Sequence, residues 1–288
     1  MKVCVTGASG FIGQHVCRAL MEAGHEVMAM DVYKPPLGSW LVADIQGSLS
    51  PLPGLDAVVH LAAIAAPMEC DKDPARAFSV NVNGTLQVLK MALESGAKKV
   101  IFSSTAHVYG VGPKYLPTDE MHPLSLGNTY TTTKILGEQL CQLFWANHGL
   151  SYTTLRLFNA YGPGQRAGYF VPDQLAKVKQ GVIPLMAGAT TKDFVHVEDV
   201  ARAFVLAIET PFIGVVNIGS GKETMLAEVV AFITAATKTR FDPGDMFTGA
   251  TRMQADISRA KRILGWEPRV DIWEGLRATI GTAEKVAV

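Results

Sequence analysis

Residues Val3–Thr6 make a short apolar, β-branched run. It leads directly into three glycines, Gly7, Gly10 and Gly13, and a helical pattern beginning at Phe11. Strand, tight turn and helix in this order open a βαβ unit, whose next strand has to return parallel through a right-handed crossover. The first half of the chain continues in that way. Apolar runs at Glu26–Asp31, Leu41–Asp44, Ala57–Leu61, Lys99–Ser103 and Thr153–Leu157 are almost unbroken, as strands covered on both faces require. Helical patterns at Phe11–Ala23, Pro74–Ser95 and Thr129–Asn147 lie between most of them. The stretch from Asp31 to Leu41 contains Pro35, Pro36 and Gly38 and leaves no crossover helix there. The expected class is α/β, a doubly wound parallel sheet.

Beyond Asn159 the rhythm loosens. Helices are predicted at Val171–Gln180, Glu198–Glu209, Leu226–Thr237, Ser258–Leu264 and Ile272–Glu284, with strands at Val182–Leu185 and Val215–Ile218. The chain therefore divides into a nucleotide-binding part, residues 1–158, and residues 159–288. The second part is mainly a smaller substrate-binding lobe, with some segments returning to the first.

Composition narrows the function classes. The 26 basic and 26 acidic residues balance, which gives no footing for nucleic acid or a membrane surface. No apolar stretch reaches the roughly 20 residues that span a bilayer, and the N-terminus runs into a strand with no room for a signal peptide. A cytoplasmic protein is expected. Cys4, Cys17, Cys70 and Cys141 show neither CxxC pairing nor metal-ligand spacing and are expected to be small buried hydrophobes.

The glycines carry the first chemical message. They allow a tight turn and close backbone approach, so a pyrophosphate can rest against the helix N-terminus, with Gly7, Gly10, Phe11, Ile12 and Gly13 around it. The second strand ends in Asp31, where a carboxylate accepts the ribose hydroxyls of an adenosine and repels a 2′-phosphate. NAD is expected rather than NADP, in a Rossmann-type site.

The second message is Tyr130-Thr131-Thr132-Thr133-Lys134, which places tyrosine and lysine on one face of a helix. A free tyrosine has a pKa near 10 and is a poor base at neutral pH. A neighbouring ammonium and a positively charged nicotinamide favour the phenolate, which takes a hydroxyl proton as hydride leaves the same carbon. Two further segments, Phe102–Gly110 and Arg156–Pro163, follow predicted strands on the same sheet edge.

Taken together, TGASGFIG at Thr6, HLAA at His60, NVNGT at Asn81, SSTAHVYG, YTTTK, RLFNAYGPGQ at Arg156, KDFVHVEDVARA at Lys192, NIGSG at Asn217 and DISRAKRILGWEP at Asp256 resemble the NAD-dependent epimerase/dehydratase branch of the extended short-chain dehydrogenases. The resemblance covers nearly the whole chain. It implies that Asp44 and Ile45 contact the adenine and that Leu61, Ala62 and Ala63 lie beside the pyrophosphate and ribose. It further implies that Ser103 and Phe158 border the cofactor, that Tyr130, Lys134 and Thr105 are catalytic, and that Asn159 contacts a substrate diphosphate. A nucleoside-diphosphate sugar is the implied substrate. The implied assembly is a homodimer pairing the helices Pro74–Ser95 and Thr129–Asn147. On the second helix, Ile135, Leu136, Leu140, Leu143 and Phe144 make an apolar stripe that Cys141 and Trp145 widen.

Several positions depart from the family pattern. Thr105-Ala106-His107 stands where the 4,6-dehydratases carry Thr-Asp-Glu, so dehydration is disfavoured. His107 is open to three roles: substrate hydrogen bonder, second acid, or structural histidine. Met246 falls in the register of a diphosphate-binding arginine; Arg252 and Arg240 are candidate substitutes, neither in register, and Lys192 stands where the family usually has the arginine of Arg-Asp-Phe. Lysine keeps the charge but loses the bidentate fork. The leading expectation is a 4-epimerase acting through a transient keto sugar. A sugar dehydrogenase or 4-keto-reductase is the alternative. A non-catalytic dinucleotide sensor is less consistent with an intact Thr105, Tyr130 and Lys134.

Overall fold

The computed structural model describes residues 1–35 and 37–286; Pro36, Ala287 and Val288 lie outside them. In chain order the first half comprises β1 (Lys2–Thr6), α1 (Phe11–Glu22), β2 (Glu26–Asp31), β3 (Ser39–Val42), β4 (Ala57–His60), α2 (Pro67–Lys72), α3 (Pro74–Phe78), a π-helical turn (Ser79–Asn83), α4 (Gly84–Glu94), β5 (Lys99–Thr105), a 3₁₀ turn (Ala106–Tyr109), α5 (Thr129–His148) and β6 (Ser151–Leu157). The second half comprises β7 (Asn159–Tyr161), α6 (Phe170–Val178), β8 (Val182–Leu185), β9 (Thr191–Lys192), β10 (Phe194–His196), α7 (Val197–Glu209), β11 (Gly214–Ile218), β12 (Thr224–Met225), α8 (Leu226–Thr237), β13 (Arg240–Pro243), α9 (Ser258–Leu264) and α10 (Ile272–Val286).

Seven strands form one parallel sheet in the order β11-β6-β5-β4-β1-β2-β3. The chain runs outward from β1 to β3, then returns to the other side of β1 with β4. This switch of direction opens a crevice at the carboxyl ends of β1 and β4, the place where open α/β sheets take ligands. One face of the sheet is covered by α1, α7 and α9 around Val16, Leu20, Phe204 and Trp266. The other face is covered by α4 and α5 around Leu89, Met91, Phe102 and Phe144. This is the doubly wound Rossmann-type architecture. A third core, with Val171, Ile183, Val230 and Leu276, joins α6, α8 and α10 to the short strand pairs β10–β7 and β13–β8. Segments after Asn159 thus lie in two places: α7, β11 and α9 cover or extend the large sheet, and the rest builds the smaller lobe.

Most elements differ from the sequence expectation by a residue or two at their ends, and three differences go further. The strand expected at Leu41–Asp44 is Ser39–Val42, because the Asp44 carboxylate turns back to accept from the Gln46 backbone N–H at 2.9 Å and starts a turn. The long helix expected at Pro74–Ser95 is three pieces around the π-helical turn. There the Asn81 side chain points inward and bonds the Ile64 backbone at 2.8 and 3.0 Å and the Thr133 hydroxyl at 3.0 Å. Helix α2 and strands β7, β9, β10, β12 and β13 were not expected, being too short for a periodic signal. All four cysteines are buried. Among the described residues no helix is long and apolar enough to cross a membrane.

Candidate active site

A cleft of about 900 Å³ opens at the carboxyl ends of β1, β4, β5 and β6 and is closed on its far side by the small lobe. It is within the size range of small-molecule sites. Its floor is the glycine turn. Gly7 has φ +72°, and a Cβ there would come within 2.7 Å of the Ala62 backbone nitrogen. A Cβ on Gly13 would come within 2.1 Å of the Gly7 carbonyl oxygen, so α1 packs against the turn in a way only glycine permits. Gly10 caps α1 without any side-chain bond, and the first-turn N–H groups are left to face the cleft, where a pyrophosphate could accept from them.

Gly7, Gly10, Phe11, Ile12, Gly13, Asp31, Asp44, Ile45, Leu61, Ala62, Ala63, Ser103 and Phe158 all line this one cleft. The Asp31 carboxylate accepts from the Ser9 N–H at 2.9 Å, which holds it at the rim of the turn. The alignment of β1 with β4 has its own fixture. The buried His60 ring bridges the hydroxyls of Thr6 (2.7 Å) and Thr85 (2.9 Å). Burial, followed by the charge of Lys134, pulls His60 down to about 3, so it is a neutral structural bridge.

Tyr130, Lys134, Thr105, His107, Asn159 and Lys192 reach the same cavity. The Asn128 carboxamide caps α5 through the Thr131 N–H at 2.8 Å. Gly137 lets the helix lie close on β5, since a Cβ there would meet the Phe102 ring at 2.4 Å. The Lys134 ammonium donates to the Ser103 carbonyl at 2.9 Å and lies 6.0 Å from the centroid of the Tyr130 ring. Burial lowers Lys134 to about 8. Burial also pushes the Tyr130 phenol above its ordinary value, with the Thr105 hydroxyl pulling it back. In the protein alone, then, Tyr130 is a neutral phenol, and a cation bound beside it is needed to favour the phenolate.

Residues 3–219 match the NAD dependent epimerase/dehydratase family. The chain belongs to that family. Relatives include UDP-glucuronic acid decarboxylase 3 of Arabidopsis thaliana, 31% identical over 96% of this chain and 87% of that protein. UDP-glucose 4-epimerase of Rhizobium meliloti is 30% identical over 94% of this chain and 93% of its own. Among solved structures, MoeE5 in complex with UDP-glucose and NAD superposes with a TM-score of 0.91 at 29% identity, covering 100% of both chains. NAD is the cofactor of this epimerase/dehydratase, and the glycine cradle, the open helix N-terminus and the Asp31 carboxylate fit it. The relatives epimerise or decarboxylate sugar nucleotides, so family membership fixes the sugar-nucleotide class of chemistry and leaves the reaction to the site.

Two expected features of the epimerase/dehydratase lobe are elsewhere. Arg252 does not line the cleft; its guanidinium is paired with Glu223 at 2.9 and 2.5 Å and is largely exposed. Met246 packs on Gly188, with its sulfur 2.6 Å from where a Cβ would stand, and its backbone oxygen accepts from Ala189 N–H. Of the cations proposed for substrate, Lys192 alone lines the cavity, joined by Arg76 and Arg166, which the sequence reading did not single out. Asn159 lies at the wall, its amide donating to the Asp193 carbonyl at 3.1 Å.

Behind α5 runs a buried network that sequence reasoning also missed. Arg156 grips Glu138 with two bonds, 2.9 and 2.6 Å, and Ser104 donates to the same carboxylate at 2.5 Å. Arg156 also donates to the Tyr109 hydroxyl at 3.0 Å, which in turn donates to Asn217 Oδ1 at 2.6 Å. The only sequence signal is Arg156 itself, a charge inside a central strand, which demands a buried partner.

Proposed function

We propose that the chain is a 4-epimerase-type enzyme of the cytoplasm acting on a nucleoside-diphosphate sugar. What carries the reading is the meeting, in one cleft, of the glycine turn with Tyr130, Thr105 and Lys134, and the absence of an acidic pair at Ala106 and His107. When bound, NAD supplies a hydride acceptor and donor. Gly7 to Gly13 hold its pyrophosphate, Asp31 its adenosine ribose, and Lys134 its nicotinamide ribose. Tyr130 would take the proton of the sugar hydroxyl as the carbon is oxidised and give it back to the same oxygen when hydride is returned to the opposite face of the carbon, with Thr105 holding that oxygen. Lys192 and Asn159 orient the diphosphate.

Purified protein is analysed by mass spectrometry for retained NAD and then given UDP-glucose or UDP-galactose without added cofactor. Interconversion at a constant level of bound cofactor supports the epimerase. Turnover that demands external NAD, with NADH accumulating, replaces it with a dehydrogenase.

The homodimer remains part of the proposal. On α5, Ile135, Cys141 and Phe144 are buried within the chain, whereas Leu143 and Trp145 are 50% and 42% exposed and Phe78 of α3 is 39% exposed. These outward apolar groups suit a partner helix pair. Sedimentation should give twice the monomer mass, and Leu143→Glu should reduce it. A monomeric wild-type protein would remove the dimer.

A further inference from the structure

We propose that Glu69, Cys70 and Asp71 of α2 are positioning residues for Tyr130: Asp71 and Cys70 hold the first turn of α5, and Glu69 ties that hold to the loop 162–168 at the cleft mouth. The inference rests on the reading of Tyr130 as the base and adds the residues that place it.

A helix leaves its first backbone N–H groups without partners of its own. In α5 the Asn128 side chain takes that of Thr131. The N–H of Thr129 goes to a separate element, donating to the Asp71 carboxylate at 3.0 Å. Thr129 directly precedes Tyr130, so this bond fixes the backbone from which the phenol projects. A carboxylate at a helix N-terminus also meets the positive end of the helix dipole.

Cys70 supports the side chain itself. It is fully buried, its thiol donates to the Ile64 carbonyl at 3.4 Å, and it packs with Ala77 and Tyr130 in one small cluster. The same Ile64 is held by Asn81, whose amide also donates to the Thr133 hydroxyl of α5 at 3.0 Å. The segment 64–71 is thus fastened to α5 at three points.

Glu69 faces the other way. Its carboxylate lies 3.8 Å from the Arg166 guanidinium, on the loop between β7 and α6. That loop turns at Gly164 (φ +86°) and Gly168 (φ +93°), and Gln165, Arg166 and Tyr169 line the cleft. An ion pair this exposed adds little stability. What it adds is a link across the cleft mouth. Successive helix residues point about 100° apart, so one turn of α2 reaches the loop, the phenol and the end of α5 together. Displacing a reacting group by even a fraction of an ångström slows proton transfer, up to about 10²-fold per ångström.

The test compares wild type, Asp71→Ala, Asp71→Asn, Glu69→Gln and the double variant Glu69→Gln/Asp71→Ala. Amide hydrogen exchange of residues 129–134 is followed by mass spectrometry, and kcat and KM are measured with UDP-glucose or UDP-galactose. Asp71→Ala should speed exchange in that segment roughly tenfold. It should lower kcat by a similar factor, with KM and NAD affinity within about twofold. Asp71→Asn keeps an oxygen that accepts the Thr129 N–H and should recover most of both losses. Glu69→Gln should lower kcat roughly threefold alone and no further once Asp71 is gone, because the link then has nothing to hold. Unchanged exchange and kcat in Asp71→Ala overturn the hold, and so does a loss seen only in KM or NAD affinity. Falls in kcat that multiply in the double variant overturn the tie to the loop. A wild type that interconverts neither sugar removes the function reading alone, and the exchange rates of 129–134 still decide whether Asp71 holds α5.

Discussion

The nucleotide-binding half and the small lobe are organised on different principles. In the first, four strands deliver a cleft residue at or just beyond their ends, Gly7 after β1, Asp31 ending β2, Leu61 after β4 and Thr105 ending β5, and α1 and α5 carry others in their first turns. Placement follows from local geometry plus one topological rule. In the lobe, a single buried carboxylate gathers distant chain. Asp193 accepts from Ser220 N–H (2.5 Å) and Oγ (2.8 Å), from Gly221 N–H (2.9 Å) and from Ala255 N–H (3.0 Å). On α7, over the large sheet, Asp199 ties down the C-terminal segment likewise, accepting from the Arg269 and Val270 N–H groups while its backbone oxygen takes the Trp266 indole. A sheet edge can thus organise a site from neighbours in sequence, whereas short strand pairs need long-range polar clamps.

If this contrast is real, the largest effect should come from the clamp. Asp193→Ala strands four donors without an acceptor, and denaturant unfolding should show a loss of about 3–5 kcal/mol. A loss below about 1 kcal/mol would mean the lobe is held by apolar packing after all. On the other side, Tyr130→Phe should lower turnover by roughly 10²-fold or more while NAD affinity stays within about twofold. Parallel kinetics and cofactor titration check this, and a mutant that keeps most of its activity would remove Tyr130 from the chemistry.

The third effect is a pH slope. His60 has its folded pKa depressed, so the unfolded chain binds the proton first as pH falls. Its contribution to stability is present above about 6.5 and is lost as pH falls toward about 3. The slope for this one group reaches at most ~1.4 kcal/mol per pH unit. Urea unfolding of wild type and His60→Gln between pH 4 and 7 should show a flatter profile in the variant; identical profiles would clear His60. The smallest effect sharpens the cofactor end: Asp31→Ala should narrow the preference for NAD over NADP by roughly tenfold, the value of one charge-assisted hydrogen bond. Titrating both cofactors reads it, and a wild type that prefers NADP would contradict the assignment.

The same contrast explains what could be seen in the sequence. Strand β2 and helices α8 and α9 were placed residue for residue, because apolar periodicity and flanking turn residues are local signals. The segments KDFVHVEDVARA and RLFNAYGPGQ were visible as motifs, but what they do was not. Asp193 serves Ala255, Arg156 serves Glu138, and Asp199 serves Trp266, pairings that no periodicity encodes. Asn81 looked like one polar residue in a helix, and its bonds to Ile64 and Thr133 explain why that helix is broken. Arg252 offers the sequence only its charge, and that charge pairs with Glu223 instead of entering the cleft.

The buried run from Ser104 through Glu138, Arg156 and Tyr109 to Asn217 bears on how the molecule comes apart. Asn217 also donates to the Thr118 carbonyl at 2.9 Å, and its N–H meets Glu120 at 2.8 Å. Thr118 in turn bridges to Ala255. Peeling away the 255 segment would expose the Asp193 carboxylate at one end and loosen the seat of a buried arginine at the other. Partial opening therefore carries much of the cost of complete unfolding. Two regions built on different principles should melt in one transition, with calorimetric and van't Hoff enthalpies in agreement.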